Sequence, residues 1–130
     1  MSVHDPELLR GLRLFVVEDE ALVAMLLEQM LEELGCVVVN LSGTVAQALD
    51  QVDKVAPKVD VAILDVNLGG ERVYPVADAL AARDVPFMFA TGYGPEGLDD
   101  RYPERTVLSK PYVEASLVNA LLQVRAASGG

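Results

Sequence analysis

Val59, Asp60, Val61, Ala62, Ile63, Leu64, Asp65, Val66, Asn67, Leu68, Gly69, Gly70: this stretch runs apolar without a break from Val61 to Leu64 and ends on a lone carboxylate. A short run rich in Val and Ile, bounded by turn residues, predicts a strand buried on both faces. Gly69 and Gly70 mark where the chain turns away. Asp65 then falls at the carboxyl end of a central strand, the edge at which open parallel α/β sheets bind ligands. An isolated Asp can equally end a strand and cap the next turn. What else reaches that edge decides between the two.

Upstream, Leu12–Val17 is an apolar strand broken only by Arg13, and it ends at Glu18-Asp19-Glu20. Ala21–Leu34 is a helix, with Val23, Leu26, Leu27, Met30, Leu31 and Leu34 at helical spacing and Gly35 as its stop. Leu22 and Met25 widen its apolar face, which predicts a broad core face; contact with a partner helix is the lesser alternative. Cys36–Asn40 is a second strand. Thr44 and Gln47 have capping-box spacing before Val45, Ala48, Leu49, Val52 and Val55, and Pro57 ends that helix. Met1–Gly11 is a loose arm or a short lead-in turn, with His4 solvated.

Downstream, a helix is expected from about Tyr74 to Arg83, with Pro75 in its first turn. Val85–Ala90 is a strand ending at Thr91, with Pro86 at its start. Gly92–Pro103, carrying Gly92, Gly94, Pro95, Gly97 and Pro103, is a poor helix former. Thr106–Leu108 is a short strand, followed by Ser109, Lys110 and Pro111. Val113, Leu117, Ala120, Leu121 and Val124 define the last helix, and Ser128–Gly130 is tail. Strand alternates with helix five times without a long linker, which implies one parallel sheet covered on both faces.

At 130 residues and 52% hydrophobic, the chain fits one domain with a sizeable core. Its longest apolar run, Ala21–Leu27, is too short to span a bilayer, and no secretory signal precedes it. The single cysteine, Cys36, excludes an internal disulfide, reads as a small core residue and fits a cytoplasmic location. A net charge of −10 and the lack of any basic stripe argue against nucleic-acid binding.

Glu18 and Asp19, Asp65, Thr91 and Lys110 all fall at the carboxyl ends of different strands, so one edge can collect them. Three crowded carboxylates raise one another's pKa values, a penalty that a hard divalent cation such as Mg²⁺ relieves. Lys110 adds a charge suited to phosphate, and Thr91 a hydroxyl. A carboxylate in such surroundings can act as a nucleophile toward phosphorus, so the chemistry suggested is phosphoryl transfer onto Asp65.

Phe15-Val16-Val17-Glu18-Asp19-Glu20, Leu64-Asp65, Thr91 and Lys110-Pro111, in that order at successive strand ends, resemble the receiver domains of bacterial two-component response regulators. The resemblance covers about Leu12 to Val124. Phe87-Met88-Phe89-Ala90-Thr91-Gly92-Tyr93 is similar to a subgroup, often single-domain, with a Phe-Ala-Thr-Gly-x motif and a short or unstable fourth helix. It implies an α/β, flavodoxin-like (βα)5 fold with strand order 2-1-3-4-5, helices on both faces and a short or mobile fourth helix. It also implies one receiver domain over 1–130, ordered from about 12 to 126, with no output domain.

By the same resemblance Asp65 is the phosphoacceptor, and Glu18, Asp19, Asp65 and the backbone carbonyl of Asn67 hold Mg²⁺. Thr91 and Lys110 each engage a phosphoryl oxygen, and a cis Lys110-Pro111 peptide aims the ammonium. The implied partners are a sensor histidine kinase or phosphotransfer protein and a downstream protein target, with the chain a monomer or weak dimer. Most receivers carry an aromatic three residues before the lysine; here that residue is Val107, and Tyr93, two residues after Thr91, is expected to modulate the site. The Gly92–Pro103 segment is expected to be mobile and to order on phosphorylation. The first alternative is a small Mg²⁺-dependent phosphohydrolase with an aspartyl nucleophile, although such enzymes resembling the haloacid-dehalogenase group place the nucleophile on the first strand, under a cap. The second is a flavodoxin-like cofactor carrier, whose phosphate loop would replace Glu18-Asp19-Glu20.

Overall fold

Alternation of apolar strands and amphipathic helices gives, in the computed structural model, a layered α/β domain described at residues 6–92, 102 and 105–129. In chain order the elements are β1 (Arg13–Val17), α1 (Ala21–Glu33), β2 (Val37–Ser42), α2 (Val45–Val55), β3 (Val61–Asp65), β4 (Asn67–Leu68), β5 (Glu71–Arg72), α3 (Tyr74–Ala82), β6 (Phe87–Thr91), β7 (Val107–Ser109) and α4 (Glu114–Gly129). Single 3-10 turns occupy Pro6–Leu9 and Ala56–Lys58. The main sheet runs β2-β1-β3-β6-β7, all parallel, the expected 2-1-3-4-5 order when the two short strands are set aside.

β3 lies at the centre, paired to β1 and β6 and buried along its whole length. Because successive side chains of a strand point to opposite faces, Phe15 and Val17 pack with α2 and α3, whereas Leu14 and Val16 pack with α1 and α4. Thr44 caps α2, accepting from Gln47 N at 3.0 Å, and Gln47 Oε1 reaches back to Gly43 N at 3.0 Å. Gly35 ends α1 at a φ of 85°.

Several expectations needed correction. α1 buries only a narrow stripe, Ala24, Leu27 and Leu31, with Leu34 just beyond its end. Leu22, Met25 and Leu26 are 71%, 54% and 56% exposed, so the broad core face is not there. A helix laid on a sheet covers only about 100° of its circumference, which leaves these three outside. Leu49 and Val113, also expected in the core, are likewise exposed, and α4 starts after Val113 and runs to Gly129 instead of ending in a tail at Ser128. The lead-in is a short turn, as one of its two readings has it, and not a loose arm: Pro6–Leu9 form a 3-10 turn, and Leu9 is fully buried among Leu12, Leu34 and the α4 side chains. β2 extends two residues past Asn40, because Ser42 Oγ donates to Asn40 Oδ1 (2.8 Å) and Asn40 Nδ2 to Gln51 Oε1 (3.2 Å), which satisfies the polar groups there. The proposed fourth helix in Gly92–Pro103, together with His4 and Tyr93, lies outside the described residues, apart from Gly92 and Tyr102; α1 to α4 are the α-helices among the described residues.

These exposures fix an expected outcome. Leu9→Ala and Leu27→Ala should each lower unfolding stability by about 2–5 kcal/mol in urea titrations. Leu22→Ala and Met25→Ala should stay within about 0.5 kcal/mol of wild type.

Candidate functional site

The parallel register brings β1, β3, β6 and β7 to a common edge. Val17 pairs with Leu64, Asp65 with Ala90, and Thr91 with Ser109. The next residues are held by the same ladders: Glu18 N donates to Ser42 O at 3.0 Å, and Lys110 N to Thr91 O at 3.0 Å. Glu18, Asp65 and Thr91 are buried, and Asp19 is exposed. One carboxylate oxygen from each of Glu18, Asp19 and Asp65 lies within 4.8 Å of the others.

The Lys110 ammonium sits 3.1 Å from Asp65 Oδ2 and 3.1 Å from Glu18 Oε1. The Lys110-Pro111 peptide is cis. Glu18 is held further by Glu20 N (3.2 Å to Oε2) and by the Tyr112 hydroxyl, which donates to Oε1 at 3.3 Å. Asn67 N donates to Asp65 Oδ1 at 3.4 Å, and Gly69 N to Asp19 Oδ2 at 2.9 Å.

Gly69 and Gly70, both at positive φ, form the two-residue turn of an antiparallel hairpin made by β4 and β5. Paired positive φ is the mark of the tight hairpin turns that glycine favours. The sequence pattern predicts only a turn at these glycines, although a Gly-Gly pair is also the signal for a hairpin. With it, Asp19, Asp65, Asn67, Thr91, Arg72 and Lys110 line one pocket of about 910 Å³.

Burial, and then the hydrogen bond and charge of Glu18, push the Asp65 carboxyl up from 3.8 to about 7, with Lys110 opposing them. Burial works against the charge of Lys110, but its hydrogen bonds to Asp65 and Glu18 outweigh that and hold its pKa above the ordinary value. Burial, followed by the charges of Glu18 and Asp65, raises the Tyr112 phenol. The oxygens of Glu18, Asp19 and Asp65 are crowded within 4.8 Å of one another, a hard-donor set that fits a small divalent cation.

Every sequence-predicted site residue that is described thus reaches one edge: Glu18, Asp19, Asp65, Asn67, Thr91, Lys110 and Pro111. Tyr112 and Arg72 were missed; neither carries a spacing that separates it from an ordinary loop or hairpin residue. Val107, half-buried, pairs with Phe89 across β6 and β7. The rings lie elsewhere: Tyr102 packs against Tyr74, Phe87 and Phe89, and its hydroxyl donates to Asp78. The Arg105 guanidinium covers Phe87 at 4.2 Å.

A parallel 2-1-3-4-5 sheet with an acidic cluster and a lysine at its carboxyl edge defines a phosphoacceptor signalling domain. The chain belongs to the response regulator receiver domain family, whose model matches residues 14–122. It is similar to the solution structure of SdrG from Sphingomonas melonis Fr1, at 43% identity over 98% of both chains and a TM-score of 0.73. A BeF3-activated conformation of SdrG from Pseudomonas melonis Fr1 matches at 47% identity over 87% of this chain and 95% of that one, with a TM-score of 0.75. The phyllosphere-induced regulator PhyR of Methylorubrum extorquens is 29% identical over 113 residues, 85% of this chain. The chain spans only 42% of that curated relative's length. The family is one of signalling phosphoacceptors, not catalytic enzymes, and the matches lend the phosphohydrolase alternative no support. Among the described residues, no helix is long and apolar enough to cross a membrane.

A titration follows from the Asp65 environment. With its folded pKa above the unfolded value, Asp65 keeps a proton in the folded state that the unfolded chain releases between about pH 4 and pH 7. Stability of the metal-free protein should therefore fall as pH rises through that window and level off above it. At pH 8 in chelator, Asp65→Asn should be more stable than wild type by about 2–4 kcal/mol. Urea midpoints at pH 5 and pH 8 check this.

Proposed function

We propose that Asp65 accepts a phosphoryl group from a histidine-phosphorylated protein in a Mg²⁺-dependent transfer, and that the phosphorylated domain signals by protein contact. The observation that carries the reading is the Lys110 ammonium, 3.1 Å from both Asp65 and Glu18 and beside three carboxylate oxygens within 4.8 Å of one another. Asp65 Oδ attacks phosphorus, the bond to the leaving group breaks, and that group departs through the open pocket. Lys110 then moves its charge from the free carboxylate toward a phosphoryl oxygen, and the Thr91 hydroxyl takes another. Asn67 N–H orients the Asp65 carboxylate. Glu18, Asp19, Asp65 and the Asn67 carbonyl would hold Mg²⁺, which when bound supplies the positive charge that offsets the carboxylates and the incoming phosphoryl oxygens. Activation of SdrG by BeF3 supports the reading, because that ion mimics a phosphoryl group on a carboxylate.

A donor protein has to cover the mouth of the pocket. α1 begins immediately after Glu18-Asp19-Glu20 and leaves Leu22, Met25 and Leu26 in solvent at that edge. We assign this face to the helix of the sensor kinase or phosphotransfer protein that presents the phosphohistidine, the contact that covers otherwise exposed apolar side chains.

Incubation with acetyl phosphate and Mg²⁺ should add one phosphoryl mass to the intact protein. Asp65→Asn and chelator should abolish the addition, and Lys110→Ala should slow it by at least about tenfold. Addition to Asp65→Asn at the wild-type rate would sink the assignment.

A further inference from the structure

The phosphoacceptor pocket holds a second cation beside Lys110. Arg72, on β5, lines the same pocket as Asp19, Glu20, Asp65 and Lys110. Its position is fixed by a short scaffold rather than by a free loop. Gly69 and Gly70 reverse the chain, Asn67 pairs with Arg72 across the hairpin, and Val73 N donates to Val66 O at 3.0 Å at its base. Val66 N donates to Ala90 O at 3.0 Å, and Gly69 N to Asp19 Oδ2 at 2.9 Å, which anchors the hairpin to β6 and to the acidic cluster.

The electrostatics give that placement a use. The acids Asp19, Glu20 and Asp65 line the pocket with Glu18 buried behind them, in a chain of net charge −10. A phosphoryl donor is itself an anion and meets a repulsive field on approach. Lys110 is already shared between Asp65 and Glu18. Arg72 is exposed at the rim, on the side of the pocket formed by the hairpin. A guanidinium presents a planar fork of donors that matches phosphoryl oxygens.

We propose that Arg72 binds the phosphoryl oxygens of the incoming donor and steers it onto Asp65, and so sets the rate of phosphorylation. This rests on the assignment of Asp65 as phosphoacceptor. The transfer needs no reactant beyond the phosphoryl donor and water. The Asp65 oxygen forms a bond to phosphorus as the P–O bond of an acyl phosphate, or the P–N bond of a phosphoramidate, breaks. Acetate leaves as the anion, and the nitrogen leaves as ammonia after taking a proton from water. The shared chemistry recognised is the phosphoryl group; the two leaving groups stand for small-molecule and phosphohistidine-like sources.

The test measures second-order phosphorylation rates by intact mass for wild type, Arg72→Ala, Arg72→Gln and Arg72→Lys, with Mg²⁺ and either acetyl phosphate or phosphoramidate. At low ionic strength, Arg72→Ala and Arg72→Gln should be about five- to tenfold slower with both donors. Arg72→Lys should recover most of the rate, and the deficit should shrink at high salt. A deficit with phosphoramidate alone would narrow the role to nitrogen-linked donors, whereas one with acetyl phosphate alone would assign it to small acyl phosphates. Wild-type rates with both donors in Arg72→Ala overturn the proposal, as does a deficit that Lys does not rescue and salt does not change. Failure of the underlying assignment looks different: wild type itself gains no phosphoryl group, or Asp65→Asn gains one.

Discussion

Two buried carboxylates can share one sheet edge here because a single ammonium lies between them. Lys110 contacts Asp65 and Glu18 at the same distance, in a setting where each unpaired charge would be strongly disfavoured. The compensation is partial by construction, one cation for two buried anions with Asp19 close by. Burial, and after it the hydrogen bond and charge of Glu18, push the Asp65 carboxyl up to about 7 against the pull of Lys110. Such a cluster could hold a divalent cation, whose charge would offset the crowded carboxylates. The rest of the fold holds this unfavourable cluster in place: β3 is buried end to end between β1 and β6, with apolar layers on both faces.

Placement of Lys110 depends in turn on β7, a strand of three residues at the sheet edge. Its pairing with β6 runs from Phe89 opposite Val107 to Thr91 opposite Ser109, and Lys110 N continues the ladder to Thr91 O. Thr91 and Lys110 are thus joined by backbone as well as by their common pocket.

The sequence made the site legible because convergence of strand ends is a property of parallel topology and needs no knowledge of packing. Once Val61–Leu64 reads as a central strand, Asp65, Glu18, Thr91 and Lys110 share an edge whatever their rotamers. What stayed hidden depends on tertiary contact. Leu22, Met25 and Leu26 are as apolar as Leu27 and lie on adjacent turns, and only the width of the sheet contact separates exposed from buried. A short lead-in turn was one reading of the sequence before β1, but the burial of Leu9 under α4 was not legible there. Tyr112 meets Glu18 across almost the whole length of the chain, a contact that no local pattern signals. The hairpin is a different case: Gly69-Gly70 carried the signal, but strands of two residues fall below the length at which alternation can be read.

Val107 leaves its position on β7 without an aromatic ring. A β-branched residue at that position of β7 has no ring to swing toward Thr91, and its χ1 is stiff. The aromatic mass sits one layer away, where Tyr74, Phe87, Phe89 and Tyr102 pack ring against ring and Arg105 closes over Phe87. Phe87 and Phe89 are fully buried there, so moving either ring requires its neighbours to vacate volume together. Phe89 is also the residue paired with Val107, two positions before Thr91. The β6 backbone thus joins the acidic edge, at Thr91, to the aromatic cluster, at Phe89, where Tyr102 packs and its hydroxyl donates to Asp78 of α3.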